Sequence, residues 1–131
     1  MVEPRTLPID GLCVTRIAVD DSLTLFCRAA YGREAEIRID GAFVLSDSAG
    51  NRSTGCVEDS PASAGPVLSL VLCGISAACI TETGALEILF LDGHQLSAEA
   101  EDHFVSWEIK SSDGFHAVCL ADKDVLVKGA A

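Results

Sequence analysis

Short runs in which apolar and polar residues alternate, each cut off by a turn signal, decide what this chain can become. Glu34–Ile39 is the cleanest case: Ala35, Ile37 and Ile39 fall on one side, Glu34, Glu36 and Arg38 on the other. Successive side chains of an extended strand point to opposite faces, so this period of two reads as a half-buried antiparallel strand. The same logic gives strands at Leu12–Val19, Ser22–Arg28, Ala42–Ser46, Ile75–Glu82, His94–Ala98, Phe104–Ser111, Phe115–Leu120 and Val125–Lys128. Asp20-Asp21, Tyr31-Gly32, Asp40-Gly41, Thr83-Gly84, Asp92-Gly93, Asp113-Gly114 and Asp122-Lys123-Asp124 punctuate them as turns. Ala85–Leu91 is apolar on both sides: Leu86, Ile88 and Phe90 on one, Leu89 and Leu91 beside Glu87 on the other. It reads as a central strand covered on both faces.

Three segments break the pattern. Met1–Pro8 is a polar lead with Pro4 and Pro8, expected to fray, as is Gly129–Ala131 at the other end. Asp47–Pro66 is rich in turn residues, and either a mobile excursion or a short extra strand at Arg52–Val57 is expected there. Val67–Cys73 is expected as a two-turn helix near 66–73. Pro66 would open it, Ser60 or Ser63 would cap it, and Gly74 would end it at positive φ. Leu68, Val71 and Leu72 would share its buried face at i, i+3, i+4.

The resulting class is mainly β (a β-rich α+β chain) in a single domain, 1–131. Two similar antiparallel meanders, residues 9–57 and 74–128, are joined by a linker and helix over 58–73 and form a sandwich or a barrel. The echo sets Gly11 against Gly74, Ile17 against Ile80, Leu23 against Leu86 and Leu25 against Ile88. Slightly out of that register, Phe43 falls opposite Trp107, Leu45 opposite Ile109, and Gly50 near Gly114.

The formal charge is −11, with nine Lys and Arg against twenty Asp and Glu. A body this acidic repels phosphate, which argues against a nucleic-acid partner. The longest apolar run, Pro66–Ile80, is shorter than the roughly 20 residues of a membrane span. No secretory leader is legible in MVEPRTLPID. Six cysteines without a CxxC pair read as free thiols in a reducing cytoplasm.

Searches for chemistry return little. His94, His103 and His116 fall in no metal-binding spacing, and no GxSxG, Walker or GxGxxG loop occurs. Glu101, Asp102 and His103 form the nearest approach to a metal site, but structural and catalytic sites need more ligands and a supporting shell. Carboxylates such as Glu87 and Glu108 are expected to be able to face each other across strands, but one pair on an acidic protein carries little weight. The arginines Arg16, Arg28, Arg33, Arg38 and Arg52 are scattered among acids and form no basic stripe in the sequence. No cofactor, catalytic residue or metal ligand is expected. The acidic loop Glu99, Glu101 and Asp102 is the candidate surface for a protein partner.

At this point the chain resembles a family of small, mostly actinobacterial proteins of unknown function. The family pattern has a Leu-rich segment ending in Leu-x-Gly, here Leu72-Cys73-Gly74. It continues with L-x-L-x-F-x-D-G, here Leu86–Gly93, then an aromatic stretch Ser106–Ile109 and a turn at Asp113-Gly114. Gly11–Leu25 matches the family's opening segment. The family's closing Pro-Gly-Gly turn is replaced by Ala121–Asp124. The resemblance implies a role as an immunity-type inhibitor of a toxin, and the absence of catalytic motifs adds the expectation of no enzymatic activity. The alternatives are a homo-oligomeric β protein, dimerising through Ala85–Leu91, and a small-ligand carrier using its interior with His116 or Cys119.

Overall fold

The alternation becomes two sheets, each burying one face against the other. In the computed structural model, described over residues 2–129, twelve strands form two antiparallel six-stranded sheets packed as a sandwich, without closure into a barrel. Met1, Ala130 and Ala131 lie outside the described residues, and so does most of the fraying expected at Gly129–Ala131.

The strands in chain order are β1 (Arg5–Thr6), β2 (Cys13–Val19), β3 (Leu23–Arg28), β4 (Glu34–Ile39), β5 (Phe43–Ser46) and β6 (Arg52–Gly55). After the helix come β7 (Ile75–Ile80), β8 (Leu86–Phe90), β9 (Gln95–Ala98), β10 (Trp107–Ser111), β11 (His116–Cys119) and β12 (Val125–Lys128). The first sheet runs β1-β7-β8-β9-β5-β6 and the second β12-β11-β10-β4-β3-β2. Each half of the chain therefore feeds both sheets. The first meander, β2-β3-β4, lies in the second sheet and then crosses over as β5-β6. The second, β7-β8-β9, lies in the first sheet and crosses back as β10-β11-β12.

The two halves occupy matching places. Val19 and Ile80 pair with Leu23 and Leu86, and both first strands shift register at the same point, after Val14 and after Ile75. Phe43 and Trp107 each open the strand that crosses to the other sheet, paired with Ala98 and Ile39. The turns at Gly50 and Gly114 match as well, with φ of 89° and 95°. The expected equivalence of Gly11 with Gly74 and of Ile17 with Ile80 is off by two residues. Gly11, at φ 86°, corresponds to Leu72, at φ 70°. The β7–β8 turn holds two more residues than the β2–β3 turn, so no single offset spans both strands.

Leu23, Leu25, Ile37, Ile39, Leu86, Ile88, Trp107 and Ile109 are all at most 1% exposed and form the shared interior. At roughly 25 cal/mol per Å² of apolar surface withdrawn from water, this burial is the main stabilising term. Trp107 fills the middle and donates its indole N–H to the Gly84 carbonyl at 3.0 Å, as a buried tryptophan needs.

Three expectations need correction. The chain opening is not frayed: Arg5 and Thr6 pair with Ile80 and Cys79, and Leu7 and Ile9 are buried. β8 is covered on one face only, with Leu89 and Leu91 44% and 75% exposed, because an antiparallel sheet in a two-layer sandwich has solvent on its outer side. The helix is a 3-10 helix over Pro61–Leu70, with Pro66 inside it. At three residues per turn, positions i and i+3 eclipse, so Ala64, Val67 and Leu70 face inward and Leu68, Val71 and Leu72 face out. Ser60 sits at the helix start without a side-chain cap. Gly74 is not the positive-φ residue; a Cβ there would lie 2.8 Å from Leu91 Cδ1, the tip of an exposed side chain that lies over it.

Candidate functional site

Antiparallel pairing sets the ends of the strands in line. Across the second sheet, Val19, Leu23, Ile39, Trp107, Cys119 and Val125 form one row. Across the first, Ile80, Leu86, Ala98 and Phe43 form another. The loops beyond these rows are 40–42, 81–85, 99–106 and 120–124, and backbone bonds join the first, third and fourth. Asp40 N–H donates to the Ser106 carbonyl at 2.9 Å and His103 N–H to the Ala121 carbonyl at 2.9 Å. Asp102 and Asp122 form an antiparallel bridge. A Cβ on Gly84 would sit 3.1 Å from the Lys123 carbonyl and 3.3 Å from Ala100 Cβ, so the β7–β8 turn packs directly on the other two loops.

Seven carboxylates stand in these four loops: Asp40, Glu82, Glu99, Glu101, Asp102, Asp122 and Asp124. Lys123 is the one Lys or Arg among them. Asp20 and Asp21 extend the acidic end at the β2–β3 turn. The Ser22 N–H donates to Asp20 Oδ1 at 2.9 Å and is the main cause holding the Asp20 carboxyl below its ordinary range.

The three residues read from the sequence divide in role. Glu99 is exposed at the rim. Glu101 is half-buried; its Oε2 accepts the Ala42 N–H at 3.1 Å and covers Gly41, where a Cβ would fall 2.7 Å away. It fixes the β4–β5 crossing. Asp102 is exposed and lies 3.8 Å from Lys123 Nζ. The nearest approach to a metal site, Glu101–Asp102–His103, is thus spread over separate tasks, with Glu101 turned onto a backbone amide. Asp122 Oδ1 accepts the Asp124 N–H at 2.9 Å and Asp124 Oδ1 the Val125 N–H at 3.1 Å, which shapes the loop, and both residues are exposed. Asp40, Glu82, Asp122 and Asp124 escaped the sequence reading because each looks like an ordinary turn residue. Only the crossing of chain halves between sheets brings their turns to one end.

The remaining reactive side chains do not converge. Glu87 and Glu108 lie on different sheets, opposite Cys79 and Ser97 and opposite Arg38 and Val118 respectively, so they do not face each other. His116 Nε2 lies 2.6 Å from Glu108 Oε2 on the outer side of its sheet, whereas Cys119 is fully buried on the inner side. All six cysteines are free. Burial pushes the Cys27 thiol up to about 12, and burial with Asp92 pushes Cys73 up to about 11; a thiol held protonated is a poor nucleophile.

No helix among the described residues is long and apolar enough to cross a membrane. No curated protein and no solved structure matches this chain. A family model does, over residues 5–128, from β1 to the last residue of β12, and its description is a family of unknown function. A match over nearly the whole sandwich makes the chain a member of that family, DUF6188.

Proposed function

We propose that this protein is a non-catalytic, cytosolic binding module whose acidic end captures a basic protein surface, in the manner of an immunity-type inhibitor of a toxin. The observation that carries this reading is the density of charge on interlocked loops, seven carboxylates against one lysine. Charges fixed by backbone bonds lose little freedom on binding, so preorganisation favours affinity as well as encounter rate. The test is affinity capture from the native lysate, followed by binding kinetics with the captured partner. Association should slow steeply as salt rises. The triple variant Asp102→Asn, Asp122→Asn, Asp124→Asn should slow it by roughly tenfold, since rim charges act mainly on the on-rate. Salt-independent capture, or a variant that captures as fast as the parent chain, removes the proposal.

A second reading, self-association, is favoured by the exposed apolar side chains Leu72, Leu89 and Leu91. Light scattering across a concentration series decides it. A monomer at the highest concentration retires the idea.

A further inference from the structure

Strand pairing collects on one face what the sequence disperses. In the second sheet, the outward residues of one cross-strand row are Arg16, Phe26, Glu36, Lys110, His116 and Lys128, each paired with the next. Arg38, one row nearer the acidic end, and Arg28, beyond the row on the other side, share this outer face. Five of the chain's nine lysines and arginines therefore leave from a single sheet face.

Their pairing separates them. Arg28 is held by Glu34 at 3.2 Å and Arg38 by Asp40 at 3.2 Å, while His116 is bound to Glu108. Arg16, Lys110 and Lys128 make no ion pair among the described residues. Arg16 instead lies over the Phe26 ring, 4.0 Å from its centre. Thr15, Arg16, Phe26, Glu36 and Lys110 line a shallow depression there. Three unpaired cations and one aromatic ring stand in one line on a protein of charge −11.

We infer that this row is a docking surface for an extended acidic polypeptide segment. Strands lie about 4.8 Å apart, so Arg16 and Lys110 are about 14 Å apart and Lys110 and Lys128 about 10 Å. A peptide laid along the row, rising about 3.3 Å per residue, meets Arg16 and Lys110 with carboxylates about four residues apart, an even spacing that sets both on one face of the extended chain. Glu36 stands in the middle of the row. A peptide can place a neutral or basic residue opposite it, whereas an unbroken phosphate chain cannot avoid it. Phe26 offers an apolar seat between the first two charges.

The probe is a fluorescent peptide of about twelve residues, with glutamates about four residues apart in a Gly/Ser background, read by anisotropy at low salt. The intact chain should bind it, and Arg16→Glu with Lys110→Glu should weaken binding roughly tenfold or more, the scale of one or two charge-assisted contacts. The milder pair Arg16→Gln and Lys110→Gln should weaken it by less, and circular dichroism checks that both variants fold. The Asp102, Asp122 and Asp124 variant should bind the probe unchanged or more tightly, which separates this surface from the acidic end. Absence of binding at about 1 mM peptide, equal binding by the glutamate variant, or tighter binding of an oligothymidylate of similar charge would each overturn the inference.

Discussion

Two residues show how much local chemistry rests on single positions. Trp107 is buried by periodicity that the sequence displays openly, flanked by Val105 and Ile109. Its partner, the Gly84 carbonyl 3.0 Å away, lies in a turn of the other half and is invisible in the sequence. Trp107→Phe should cost about 2 kcal/mol in denaturant unfolding, combining lost volume with a carbonyl left unpaired. Leu72 is the opposite case. It adopts φ 70° and is 76% exposed, where the matching position of the other half has Gly11. A left-handed conformation costs a branched residue about 1–2 kcal/mol, partly offset by glycine's larger loss of freedom on folding. Leu72→Gly should raise stability by about 0.5–1 kcal/mol, while Leu72→Ala, which keeps a Cβ, should not.

Among the elements, the strands declared their inner faces, whereas the one short helix was legible as an element but not in its span or its face, for one physical reason. Alternation has a period of two whatever the strand packs against, so Glu34–Ile39 declares its inner face directly. The apolar residues of Pro61–Leu70 fit several helical periods. Reading 3.6 residues per turn gives the face Leu68–Val71–Leu72; the observed three per turn gives Ala64–Val67–Leu70. The choice is made by tertiary contact, as the helix lies against β2 and β6, an edge strand of each sheet. Calorimetry on two alanine variants checks the observed face. Val67→Ala, at a fully buried site, should cost about 2 kcal/mol, whereas Leu68→Ala, 57% exposed, should fall within about 0.5 kcal/mol of the parent chain. For β8 the sequence misleads in the other direction. Leu89 and Leu91 look like core and lie in solvent, because apolar composition states what a position tolerates and not which neighbour it has.

At the scale of the molecule, the charge pattern is a product of topology. The acidic loop Glu99–Asp102 was legible as composition. Its union with Glu82, Asp122 and Asp124 was not, since nothing local says that the β7–β8, β9–β10 and β11–β12 turns meet. The same holds for Arg16, Lys110 and Lys128, far apart in the chain and aligned only by register. The interleaving has a mechanical consequence too. A single backbone break between β6 and the helix, at Glu58-Asp59, divides the molecule into pieces that each supply strands to both sheets. Neither piece owns a complete layer, so each alone should be unfolded by circular dichroism. Mixed together they should reassemble with the parent spectrum, which would make this small protein a natural two-part reporter whose signal appears only when its halves are brought within reach of one another.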